Sequence, residues 1–151
     1  MTPFRGTFEH TLDAKHRLTI PAKFREALAG RVVLAASFET EHGAPCSVGI
    51  WKPDAFEDYT TAALADLHPL SPEARALKRF FFNFSHDTEV DSAHRVMIPQ
   101  HLSEYASLDK DVAVTGAGEC LEVFDRAQYN AYKSQILSHV TDIAASLGHT
   151  A

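Results

Sequence analysis

The chain has 151 residues, 45% of them hydrophobic and 23% charged, with a formal net charge of −6. That balance predicts a soluble globular protein of one domain or two small ones. No run of 18 apolar residues is present to span a membrane, and the start Met1-Thr2-Pro3-Phe4-Arg5-Gly6 predicts no secretory signal.

Phe4, Gly6, Phe8, His10 and Leu12 share one parity, and Thr7, Glu9 and Thr11 the other. This period of two predicts a half-buried strand. Arg17, Leu18, Thr19 and Ile20 alternate again and predict a second strand. The three residues Ala14-Lys15-His16 connect the two. A three-residue hairpin loop usually ends in a residue with φ > 0. That residue is His16, and His is among the non-glycine types enriched there. The closure sets Asp13 opposite Arg17, an opposite-charge pair contributing roughly 0.2–1 kcal/mol. Pro21 stops the strand, and Pro21 to Ala29 is expected to form a short helix ended by Gly30. Arg31 to Ala36 and Val48 to Trp51 follow as apolar strands, joined by a loop over Glu39 to Pro45. A helix is expected from Pro53, with Phe56 and Tyr59 inward. Ser71-Pro72-Glu73 combines a capping hydroxyl, an early Pro and an early carboxylate, so a helix starts there. It runs towards Phe80-Phe81-Phe82, expected to be core residues.

The second half restates the first. Leu12-Asp13-Ala14-Lys15-His16-Arg17-Leu18-Thr19-Ile20-Pro21 returns as Val90-Asp91-Ser92-Ala93-His94-Arg95-Val96-Met97-Ile98-Pro99, offset by 78 residues, with Asp, His, Arg, Ile and Pro identical. His94 is therefore expected at positive φ, and Asp91 opposite Arg95. Val112 to Thr115 answers the run Arg31 to Ala36 at an offset of 80, and Leu121 to Phe124 answers Val48 to Trp51. Asp125 caps a last helix, whose apolar positions Tyr129, Tyr132, Ile136, Val140, Ile143 and Leu147 recur at steps of three and four. The chain is expected to fray from His149 onward.

The sequence Asp-x-Lys-x-Arg-x-x-Ile-Pro-x-x-x-Arg after Phe-Arg-Gly, doubled as Asp-x-x-x-Arg-x-x-Ile-Pro, resembles the MraZ family of bacterial transcriptional regulators. The resemblance runs from Phe4 to about Tyr132. It departs at His16 and His94, where the family typically has Gly before the motif Arg. It implies an α+β, β-rich fold: a swapped-hairpin AbrB-like barrel of two internal repeats, with short helices and a C-terminal helix. The expected division is repeat 1 over residues 4–60, a connecting helical segment over 61–80, repeat 2 over 81–132, and an extension over 133–151. The resemblance also implies ring-shaped oligomers on double-stranded promoter DNA, and hence a cytoplasmic, nucleoid-associated protein.

The charge distribution fits such a partner. Residues 1–31 carry six basic against three acidic side chains; the remainder carries eight against seventeen. Local sign asymmetry, not the total, is the electrostatic footprint. Motif resemblance points to DNA contact by Arg5, Lys15, Arg17 and Arg25, and more weakly by Arg95. Lys23 joins them as a neighbouring charge. In the second copy Ala93, His101 and Ser103 stand where the first has Lys15, Lys23 and Arg25. Asp13 and Asp91, each paired to its arginine, read as structural loop partners rather than catalytic bases. The nine histidines form no His-x-x-x-His or His-Glu-x-x-His pattern, so no metal site is expected. Cys46 and Cys120 form no Cys-x-x-Cys and are expected buried and reduced. Gly116-Ala117-Gly118 lacks a following Lys-Ser/Thr and falls where a hairpin turn is due. No cofactor and no enzymatic chemistry are expected. The alternative to a sequence-specific DNA-binding regulator is a ring-forming structural module that binds protein.

Overall fold

A computed structural model describes residues 3–37 and 43–148. The chain runs β1 (Thr7–Thr11), β2 (Arg17–Thr19), a 3-10 turn (Ala22–Phe24), β3 (Arg31–Ser37), β4 (Ser47–Trp51), α1 (Pro53–Leu64) and α2 (Pro72–Asn83). It continues through β5 (Ser85–Glu89), β6 (Arg95–Met97), α3 (Gln100–Tyr105), β7 (Asp111–Gly116), β8 (Leu121–Asp125) and α4 (Arg126–Gly148). The fold is α+β and β-rich, as expected.

The two repeats exchange strands. The six-stranded sheet has the order β1-β7-β8-β4-β3-β5, and β2 and β6 form a separate ribbon. Reading the order backwards while exchanging the repeats returns the same order, so a pseudo-twofold axis passes between β4 and β8. The first strand of each repeat leaves its own turn and joins the other repeat. Thr7–Thr11 pairs antiparallel with Asp111–Thr115, as Ser85–Glu89 pairs with Arg31–Ala35. The turn joining β1 to β2 forms as expected, with Asp13 N–H donating to the Arg17 carbonyl at 3.1 Å. Beyond it, the two strands diverge to different partners. The sheet does not close into a barrel, because β1 and β5 remain edges and the three-residue strands β2 and β6 pair only with each other.

Apolar burial explains this arrangement. Leu18 and Ile20 from one repeat, and Val96 and Ile98 from the other, are almost completely buried over the sheet with Leu34, Val48, Val112 and Val123. Burying one such side chain contributes about 1.5–3 kcal/mol, so four from the ribbon outweigh the few hydrogen bonds a longer local hairpin would add. On the opposite sheet face Val33, Ala35, Trp51, Phe56 and Cys120 form a smaller cluster.

Local signals hold with specific exceptions. Ser71 Oγ accepts from Ala74 N–H at 3.1 Å, and Pro72 opens α2. Asp125 caps α4 by accepting from Gln128 N–H at 3.1 Å. The helix expected over 21–29 is instead a 3-10 turn, since Phe24 and Arg25 bond back three residues rather than four. Pro21 and Pro99 sit at the cap positions. Phe81 is buried and Phe80 half-buried, but Phe82 points outward. Three consecutive helical positions span most of a turn and cannot share one face. Cys120 is buried as expected, whereas Cys46 is exposed at the end of its loop. Of the Glu39–Pro45 loop, residues 39–42 lie outside the described residues, as does the tail from His149. Tyr129, Tyr132, Ile136 and Ile143 of α4 are half-buried, while Val140 and Leu147 are exposed, so the helix packs mainly through its first turns. Among the described residues no helix is long and apolar enough to cross a membrane.

Candidate nucleic-acid interface

The Asp-x-x-His-Arg turn is built twice, with nearly the same dimensions. Asp13 Oδ1 accepts from the Lys15 and Arg17 amides, both at 2.9 Å, and Oδ2 accepts from Arg17 Nε at 2.7 Å. Asp91 Oδ1 accepts from the Ala93 and Arg95 amides at 2.9 Å, and Oδ2 from Arg95 Nε at 3.1 Å. These bonds hold both carboxyls below the usual carboxylate range, the backbone amide of Arg17 or Arg95 acting most strongly. His16 and His94 close the turns at φ 57° and 62°. Their carbonyls then reach the other repeat: Ile98 N–H donates to His16 at 3.0 Å, and Ile20 N–H to His94 at 2.8 Å. Each turn therefore fixes both an arginine and the swap.

The ribbon brings the arginines together. Leu18 faces Val96 across β2 and β6, Arg17 faces Met97, and Thr19 faces Arg95. Strand alternation turns Leu18 and Val96 into the core, and puts Arg17, Thr19, Arg95 and Met97 on the other face. Arg17 and Arg95 are thus diagonal neighbours on one ribbon face, about 7–8 Å apart at this kind of pairing. Their side chains are 29% and 34% exposed. Each aspartate engages Nε, so its bond does not use the terminal guanidinium nitrogens. That terminal edge is the part of arginine suited to bidentate recognition of guanine or phosphate.

The other sequence candidates divide into three groups. Lys15 is exposed on the first turn, whose Asp13, Ala14 and His16 line a cleft of about 410 Å³ together with Asp109 and Lys110. Arg5 and Lys23 are neighbours: Lys23 Nζ donates to the Arg5 carbonyl at 3.4 Å and lies 5.6 Å from the centre of the Phe24 ring. Arg25 is half-buried and donates through Nε to the Ile20 carbonyl at 3.0 Å, so part of its guanidinium already holds the end of β2. Its counterpart Ser103 is buried. The basic surface is concentrated in repeat 1, and the second repeat contributes chiefly Arg95.

Sequence reasoning missed several contributors. Met97 and Thr19 share the ribbon face with the arginines, which only the cross-repeat register reveals. Lys110 reaches the first turn because Leu12 N–H donates to its carbonyl at 2.8 Å. Arg126 looks like a further surface cation in the sequence. In the fold its Nη2 donates to the His10 carbonyl at 2.7 Å, and its Nη1 lies 3.4 Å from Glu9. It clamps β1 against β7. His10 lies nearby with its pKa lowered below 6.5, first by burial and then by the Arg126 and Arg25 charges. Among the described residues no group of three His, Cys, Asp or Glu side chains is placed to hold a metal ion.

Comparison with known proteins agrees with this duplicated architecture. The family model described as "MraZ protein, putative antitoxin-like" matches twice, over residues 3–80 and 81–147. The transcriptional regulator MraZ of Thiobacillus denitrificans is 35% identical over 139 residues, covering 89% of each chain. That of Leuconostoc mesenteroides is 34% identical over 144 residues, covering 95% of this chain and 96% of the relative. That of Desulfitobacterium hafniense is 35% identical over 144 residues, with the same coverage of 95% and 96%. With both halves matched separately and relatives aligned along nearly its full length, the chain belongs to the MraZ family, whose matched members are named transcriptional regulators.

Proposed function

We propose that the protein is a sequence-specific DNA-binding regulator of transcription without enzymatic activity, acting in the cytoplasm on the nucleoid. The observation that carries this reading is the ribbon face. Two arginines from distant parts of the chain share it, each held by its aspartate through Nε, a bond that does not use the terminal nitrogens. A two-stranded ribbon is narrow enough to enter the major groove. In this reading Arg17 and Arg95 approach base edges, while Arg5, Lys15, Lys23 and the free edge of Arg25 hold phosphates. Asp13 and Asp91 orient the turns. The strand-exchanged unit comprises residues 4–60 and 81–132, with 61–80 as connector and 133–151 as extension.

One subunit offers few phosphate-facing charges, which is little for tight binding at physiological salt. A closed homo-oligomer larger than a dimer, a ring, multiplies the same contact over repeated promoter sites by effective concentration. The test is spacing. Double-stranded DNA carrying two sites about one turn apart should lose affinity when half a turn is inserted and recover with a full turn. Retention should fall with salt by about −0.9 in log–log slope per neutralised phosphate. A monomer that binds one site as tightly as several sinks the ring. Salt-independent retention sinks the DNA reading. The exposed Leu70, Phe82 and Leu137 favour the second reading, a ring that binds protein, and that reading then stands.

A further inference from the structure

The segment carrying Arg5 is fastened to the far end of the other repeat. Phe4 and Gly118 exchange backbone hydrogen bonds at 2.9 and 3.0 Å, and Gly116 N–H donates to the Gly6 carbonyl at 2.8 Å. A Cβ on Gly116 would sit only 2.5 Å from Arg5 Cα and from the Phe4 carbonyl carbon. Those are backbone atoms that no side-chain rotation can clear. Gly6 itself takes φ 103°, a conformation that glycine alone adopts readily.

The pseudo-twofold axis supplies an internal comparison. The position equivalent to Gly116 is Ala36, whose N–H donates to the Phe84 carbonyl at 2.9 Å. Phe84, the equivalent of Gly6, follows the end of α2 with φ −103°. An alanine is accommodated there, where the chain arrives from a helix. Glycine occupies the position only where the Arg5 backbone lies flat on β7. The sheet hydrogen bond is common to both repeats, so it does not require glycine. The close approach of Arg5 does.

We infer that Gly116 is a positioning residue for the Arg5–Lys23 pair, through which the β7–β8 hairpin of repeat 2 sets the phosphate-binding surface of repeat 1. The inference rests on the DNA-binding reading above. With Arg5 pressed on the sheet, its carbonyl receives the Lys23 ammonium, which ties the Lys23 charge to the segment that carries Arg5. A methyl group at 116 lifts this segment and separates it from Lys23, while Arg17 and its turn stay in place.

The experiment uses full-length protein and double-stranded fragments that the wild-type protein recovers from random DNA. Affinity is titrated across a salt series for Gly116→Ala, Arg5→Ala, the double variant, Ala36→Gly and Arg17→Ala. Gly116→Ala should match Arg5→Ala in affinity and lower the salt slope by about 1. The double variant should be no weaker than either single one, and Ala36→Gly should bind as wild type. Additive losses, or an unchanged slope for Gly116→Ala beside a weakened Arg17→Ala, overturn this inference alone. If neither Arg17→Ala nor Arg5→Ala alters binding, the DNA reading falls with it. Should Gly116→Ala fail to fold, amide exchange in the wild type decides: Phe4 and Gly118 must be protected, and exchange at unstructured rates overturns the fastening.

Discussion

Arg17 and Arg95 lie diagonally on one face of the β2–β6 ribbon, although they belong to different repeats. Neither comes from a hairpin that contains the other. Their proximity arises because Leu18 and Val96, directly opposite each other, are both drawn into the core. The burial that holds the ribbon down is therefore the same event that puts both arginines on its other face.

The two arginines should not contribute equally. Arg17 follows a turn that carries Lys15, whereas the matching turn before Arg95 carries Ala93. Arg17→Ala is expected to weaken binding to a selected operator by about 1–3 kcal/mol and to relax preference at one base position. Arg95→Ala should cost less. Titration of both variants against the same labelled duplex checks the ranking, and equal losses defeat it.

The turn histidines are held at φ 57° and 62°. His16→Gly and His94→Gly should leave the fold intact and raise Tm slightly, since a left-handed residue with a Cβ costs roughly 1–2 kcal/mol. Valine at either site should lower Tm, because a branched Cβ suits that conformation least. It should also loosen the ribbon, whose amides at Ile98 and Ile20 donate to these same residues. Thermal melts of the four variants decide, and equal tolerance of Val and Gly contradicts the turn geometry.

The ribbon core is the place where truncation should hurt most. Leu18 is fully buried and Val96 nearly so. Leu18→Ala should destabilise by about 2–5 kcal/mol. The loss should exceed that of Leu70→Ala, whose side chain is 78% exposed. Denaturant unfolding of the two variants measures the difference, and similar midpoints would show that the ribbon does not anchor the fold.

His10 couples stability to pH. Burial first, and then Arg126 and Arg25, hold its pKa below the ordinary 6.5. The unfolded chain therefore binds the proton more readily than the folded one. Stability from this site is present above pH 6.5 and falls as acid titrates the unfolded-state histidine. Between pH 7.5 and 5, by about two and a half units, wild-type Tm should fall more than that of His10→Gln. Parallel curves would remove His10 from the account.

What the sequence determined by itself is short in range. Asp13 and Arg17 are four residues apart, and Ser71 caps an amide three residues on. Such contacts close within one turn of chain, so residue type and spacing suffice to specify them. The duplication added that whatever happened in one half would happen in the other. Even the unusual φ of two histidines followed from loop length. The tertiary structure decided the partners. Three residues of β2 cannot state whether they pair with β1 or with β6, because alternation specifies a face and not a neighbour. The choice went to the arrangement that buries Leu18, Ile20, Val96 and Ile98 together. From that choice follow the shared arginine face, the exposure of Met97 and the arrival of Lys110 beside the first turn. Arg25 and Arg126 tell the same story from the other side. Each has the composition of a surface cation, yet each is turned to a backbone carbonyl left over where strands from different repeats meet.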